Sequence, residues 1–121
     1  MTDEALTLQS GELTIVVTST ENGTSVIWSG TSDAREPSLE LTPFLAQVVD
    51  RHTNAPVVVD FRKLEYMNSG TVSPIIVFVR ALDERGIETK LLFDTGIGWQ
   101  RVNFVAMKSI ARTLKHLSVE G

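Results

Sequence analysis

Hydrophobic and polar positions along the chain change period several times, and each change marks an element. Leu13-Thr14-Ile15-Val16-Val17-Thr18 is β-branched and reads as a strand. Thr24 to Trp28 reads as a second, with Val26 and Trp28 on one face. Glu21-Asn22-Gly23 lies between them, and Asn-Gly takes φ > 0 at both central positions readily, so this is a hairpin turn. Gly30 to Pro37 is polar and turn-rich, a loop. Leu41, Leu45, Val48 and Val49 then recur at helical spacing, which predicts a helix over Leu39 to His52. Thr42-Pro43 is the competing start, Thr as N-cap and Pro as first helical residue.

Val57-Val58-Val59-Asp60-Phe61, after Pro56, is a short β-branched run, the pattern of a strand buried on both faces of a parallel sheet. A helix from Ser69 to Arg85 follows and stops at Gly86. Thr89 to Phe93 is another strand, Trp99 to Leu114 a third helix and Leu117 to Val119 a last short strand. The order β-β-α-β-α-β-α-β predicts an α/β domain: a mixed, mostly parallel sheet with an N-terminal antiparallel hairpin and helices packed on it. On the second helix Val72, Ile75, Val79 and Leu82 face the sheet, while Val77 and Ala81 point away among Ser73, Arg80 and Glu84. On the third, Trp99, Val102, Ala106 and Ile110 form the inward stripe, with Phe104 and Val105 off it.

Composition narrows the function. The 121 residues make one domain's worth of chain. No cysteine is present, which removes disulfides, Cys-zinc sites and thiol catalysis. The formal net charge is −4 and no Lys/Arg run exceeds Arg62-Lys63, which argues against nucleic acid. The longest apolar run, Ile75 to Val79, is far too short to span a membrane, and the acidic start has no signal-peptide core. A cytoplasmic protein without a membrane partner is the expectation.

Catalytic machinery is not visible. His52 and His116 have no near neighbours at metal-ligand spacing. Asp60 ends a strand without a second carboxylate close in sequence, so its role is to cap a loop. Gly96-Ile97-Gly98 lacks the third glycine of a dinucleotide fingerprint, since Arg101 stands there, and reads as a tight turn. No catalytic residue, metal or cofactor is therefore assigned.

One segment stands apart: Leu64-Glu65-Tyr66-Met67-Asn68-Ser69-Gly70-Thr71, between the valine strand and the second helix. Asn68 or Ser69 supplies an N-cap oxygen and Gly70 allows close backbone approach. A hydroxyl at a helix N-terminus is also well placed to carry a phosphate, because free N–H groups and the helix dipole stabilise the dianion. Pro74 cannot donate to the Gly70 carbonyl, which leaves the first turn loosely tied.

The stretch from Pro56 to Gly70, with the helix to Gly86 and the strand Thr89 to Phe93, resembles the STAS domain of anti-sigma-factor antagonists. That pattern is a hydrophobic strand ending in Asp, a short loop, an aromatic and an aliphatic residue, then Asp-Ser-Ser-Gly opening a helix. Here Asn68 replaces the Asp and Gly70-Thr71 replaces Ser-Gly, which is closer to divergent STAS-like regulators with Asn before the phosphorylated Ser or Thr. The resemblance implies a single STAS-like domain over residues 1–121, with an ordered core from about residue 11 to 119. It implies a bacterial, non-enzymatic partner-switching protein whose phosphorylated residue is Ser69. Its partners are then a serine kinase of histidine-kinase-like ATPase fold or an anti-sigma factor, with a metal-dependent type 2C phosphatase reversing the modification. The expected partner-binding face is Asn68, Ser69, Gly70, Thr71, Ser73 and Val77. The alternative is a small-ligand or nucleotide-binding sensor using the Gly96–Gly98 turn.

Overall fold

In the computed structural model, residues 4–51 and 56–121 are described; His52 lies outside them. The first three strands, β1 (Glu4–Ser10), β2 (Leu13–Thr20) and β3 (Gly23–Ser32), run antiparallel. Helix α1 (Ser38–Arg51) crosses to β4 (Val57–Met67), α2 (Val72–Glu84) to β5 (Thr89–Leu92), and α3 (Gly98–Ala111) to β6 (Leu117–Glu120). Strands β3 to β6 are parallel, and the sheet order is β1-β2-β3-β4-β5-β6. Among the described residues no helix is long and apolar enough to cross a membrane.

The architecture is the α/β sheet with an antiparallel N-terminal part that the pattern predicts. The sheet has one buried face. Leu13, Ile15 and Val17 on β2 alternate with half-exposed Thr14, Val16 and Thr18, and β3 repeats the alternation. Helix α1 contributes Leu41, Leu45 and Val48 to that face and α2 contributes Ile75, Val79 and Leu82. Each such side chain gains roughly 1.5–3 kcal/mol on leaving water. Aromatic rings run across the core: Trp28 lies 5.3 Å from Phe61, Phe61 stacks on Phe93 at 5.0 Å, and Phe93 meets Phe104 edge-on at 6.4 Å.

Several expectations change. β1 was not expected; it is an edge strand anchored only by Leu6 and Leu8, which pair with Val17 and Ile15. β4 is central but not buried on both faces: Val57, Val59 and Phe61 point inward, while Val58 and Asp60 lie half-exposed on the other face. It also runs six residues past Phe61, with register shifts against β3. One shift falls at Gly30, whose φ is +82° and where a Cβ would sit 1.9 Å from the Glu12 carbonyl oxygen. In the β2–β3 hairpin only Gly23 has positive φ, so Asn22 does not adopt the mirror-image turn. A Cβ on Gly23 would strike the Pro56 carbonyl oxygen at 2.4 Å.

Helix α1 starts at Ser38 and takes Pro43 inside it. The unmade hydrogen bond is the one to the Leu39 carbonyl, and Leu39 is 70% exposed, so water can satisfy it. The largest correction concerns α3. Val102 is 69% exposed and Ala106 is exposed, whereas Gln100 and Met107 are fully buried and Phe104 leans on Phe93. A polar residue, Gln100, opens the buried stripe at the helix's N-terminal end. The Gln100 amide donates to the Phe61 and Leu64 carbonyls at 2.9 and 3.0 Å and accepts from the Asp94 N–H at 2.7 Å. With its polar atoms satisfied, Gln100 is tolerated in the core.

Candidate functional site

β4 ends on Met67, which is buried and fixes the strand's exit. Asn68 is extended, with φ −80° and ψ 169°. Its N–H donates to the Ser32 carbonyl at 2.9 Å and its side-chain amide donates to the Ala34 carbonyl at 2.8 Å. Its Oδ1 accepts from the Thr71 hydroxyl at 2.9 Å. The Thr71 proton is thereby committed, so the Ser32 hydroxyl, 2.7 Å from Thr71 Oγ1, is the donor of that pair. Asn68 thus makes no side-chain cap to the helix. It fastens the junction to the β3–α1 loop instead. Gly70 is part of the same fastening, because a Cβ there would lie 3.2 Å from the Pro37 ring.

Ser69 opens a short 3-10 turn, Ser69–Thr71, that runs into α2. It is exposed, and its hydroxyl makes no hydrogen bond with the described residues. Ser73 is exposed one turn on, and Val77 is 56% exposed beyond it. Thr71 is different. It is fully buried with its hydroxyl spent, so it cannot touch a partner; it supports the junction from beneath. The structure therefore brings Asn68, Ser69, Gly70, Ser73 and Val77 to the surface around the start of α2 and places Thr71 inside. Pro74 is buried and faces the groove between α1 and α2, which Val77 also lines.

Two residues missed by pattern reading belong to this neighbourhood. Ser32 reaches Thr71 from 39 positions away, a contact no local motif announces. Tyr66 is 47% exposed just before the junction, and an exposed aromatic is a common contact residue.

The other candidates have structural roles. Asp60 grips Arg62, accepting from its backbone N–H, Nε and Nη2 at 2.9–3.0 Å. That hydrogen bonding outweighs partial burial and holds the Asp60 carboxyl below its usual range. The His116 ring meets the Glu88 carboxylate, and the His116 backbone N–H donates to the Asp83 carboxylate at 2.6 Å. No group of three His, Cys, Asp or Glu that could hold a metal occurs among the described residues. Gly96 closes an Asx turn on Asp94 at 2.9 Å. Two cavities approach ligand size: one of about 450 Å³ beside the β3–α1 loop, which shares Ser32, Ala34 and Pro37 with the junction, and one of about 440 Å³ over the bare sheet face, lined in part by Asp60 and Arg62.

The fold has a solved counterpart. The chain is similar to the structure described as the anti-sigma factor antagonist SpoIIAA in its unphosphorylated form, with a TM-score of 0.51 and 11% identity, covering 95% of this chain and 87% of that chain. No family model matches, and no curated protein matches by sequence. The fold is therefore STAS-like: a mixed sheet of antiparallel then parallel strands with helices on one face.

Proposed function

We propose that this chain is a non-enzymatic partner-switching regulator of the anti-sigma-factor-antagonist kind, controlled by phosphorylation of Ser69. The observation that carries this reading is the contrast within one junction. The Ser69 hydroxyl is exposed and unbonded at the start of α2, while Asn68 and Thr71 on either side are fastened to the neighbouring loop. A phosphate can be added there without breaking any internal bond. It would add roughly −1.5 to −2 charges beside the free N–H groups of a helix start, which tolerate them. A partner surface seated on Asn68, Ser69, Ser73 and Val77 would instead meet a strongly hydrated dianion and be displaced. The partner is a serine kinase of histidine-kinase-like ATPase fold or an anti-sigma factor, and a type 2C phosphatase restores binding. The fold likeness to an antagonist solved in its unphosphorylated form supports the same reading.

The test is to incubate the protein with such a kinase and ATP and to map phosphate by mass spectrometry. Phosphate belongs on Ser69 and not on buried Thr71, and it should weaken partner binding more than tenfold, about 1.4 kcal/mol. Ser69→Ala should bind constitutively and Ser69→Glu should copy the phosphorylated state in part. Phosphate confined to Ser73, or absent altogether, overturns the assignment of Ser69.

A further inference from the structure

The outward face of α3 is apolar at its centre and basic along one flank. At 100° per residue, Gly98, Val102, Val105 and Ser109 fall within about 60° of one another, and Val102 and Val105 are 69% and 59% exposed. Arg101, Lys108 and Arg112 line the adjoining flank, all exposed. From Gly98 to Arg112 the chain carries no Asp or Glu. None of these three cations is ion-paired among the described residues, unlike Arg62, Arg85 and Lys90, each of which has a carboxylate partner.

The complement of this face lies on the same molecule. The cavity of about 450 Å³ between the β1–β2 turn and the start of α1 has an apolar floor from Leu13 and Leu41, and Leu39 is 70% exposed on its rim. Asp33, Glu36 and Glu40 surround it, opposed by Arg35 alone. These three acids are exposed and make no ion pair among the described residues. The two surfaces sit toward opposite ends of the strand order: α3 packs at the β6 side, and the cavity opens beside β1 and β2. One copy cannot close them on each other, yet each copy can offer both at once.

We infer that the chain self-associates head to tail, the Val102–Val105 face of α3 in one copy seating against the acidic Leu39 cavity of the next. Such a contact is heterologous, so one pair leaves a free face at each end. A single helix face of this length makes a small interface, so the association is weak and sensitive to salt. A lipid surface suits α3 less well, since its outer face presents glycine, valine, alanine and serine where interfacial helices present Trp, Phe or Leu. The cavity adjoins the Ser69 junction through Ser32, Ala34 and Pro37, but the inference does not rest on phosphorylation; its test uses unphosphorylated protein and needs no kinase.

Sedimentation velocity over a wide concentration range, at low and at high salt, tests it. The weight-average sedimentation coefficient should rise with concentration at low salt and fall back to the monomer value at high salt. Val105→Asp spoils one face and Leu39→Asp the other; both positions are exposed, and circular dichroism confirms that each variant folds. Each variant alone should be at least tenfold weaker in self-association. Mixed, they should form a 1:1 dimer that grows no further, because each retains the face the other needs. Arg101→Glu should weaken association, and adding Glu40→Arg should recover part of it. A protein that stays monomeric at every concentration overturns the inference. So does a self-limiting dimer that mixing the variants fails to restore, which would be a two-fold contact. Co-sedimentation of the wild type with anionic vesicles, lost in Arg101→Glu, while the protein alone stays monomeric, would assign the α3 face to a membrane and also overturn it.

Discussion

The junctions after β4 and after β5 occupy equivalent places, each leading from a parallel strand into a helix, yet they treat their polar groups in opposite ways. After β5, Asp94 closes its own turn on Gly96, and Gln100 sends its whole amide back into the sheet to hold β4 and the exit of β5. There the Asp94 N–H, one Asp94 carboxylate oxygen and the whole Gln100 amide are committed to architecture. After β4, Asn68 and Thr71 commit theirs sideways, to the β3–α1 loop, and Ser69 is left over. A surface hydroxyl on a rigid base is what a reversible modification needs, and Ser69 is exposed where Thr95, the hydroxyl of the other junction, is half-buried. Rigidity and availability are supplied there by neighbouring residues, not by the same one.

Gln100→Leu should show the largest effect. It strands the buried Phe61 and Leu64 carbonyls, each worth about 1–3 kcal/mol, and leaves the part-buried Asp94 N–H without its acceptor. A loss of about 3 kcal/mol or more is expected in urea unfolding, and a loss under about 1 kcal/mol would mean the two junctions do not differ as described. Thr71→Val keeps the shape but removes the hydroxyl between Ser32 and Asn68, so about 1–2 kcal/mol should be lost, less than at Gln100. Partner affinity should fall with it, since Asn68 loses its anchor; an unchanged affinity would separate the fastening from the face it holds. Val77→Glu should leave the thermal midpoint almost unmoved, within about 0.5 kcal/mol, while weakening partner binding. Ser69→Ala should have the smallest effect on stability, near zero, because its hydroxyl bonds to nothing within the fold. A measurable destabilisation there would show that this hydroxyl, too, is structural.

Much of this was legible in the residues. The parallel pairing followed from β-branched runs separated by helical ones, and the β4–α2 segment stood out because Asn68, Ser69 and Gly70 put cap residues and a hydroxyl between a strand and a helix. What failed did so for identifiable reasons. Of the expected stripe Trp99, Val102, Ala106 and Ile110, Trp99 and Ile110 do pack against the core, but Val102 and Ala106 are exposed because the buried line runs through Gln100, Phe104, Met107 and Ala111. A satisfied buried amide looks like a surface residue in the sequence. Val57-Val58-Val59 hides the fact that helices cover only one side of β4, because a half-exposed valine reads like a buried one. β1 carries only two inward leucines, too weak a pattern to separate from a polar tail. The Ser32–Thr71 bond joins residues 39 positions apart and depends on the register of β3 with β4, which local pattern does not set.

The unbroken strand order has a kinetic consequence. Each strand pairs only with the strand before it and the strand after it along the chain. No strand has to wait for a distant segment or insert between two already joined. Each addition closes a loop no longer than one helix and its connections, so entropy is lost in small instalments. Folding rate falls as contacts become more distant in sequence, and a sheet laid down in chain order keeps that distance short for a mixed α/β topology. The hairpins of β1, β2 and β3 can form during synthesis, and each helix then delivers one more strand to an edge that is already waiting.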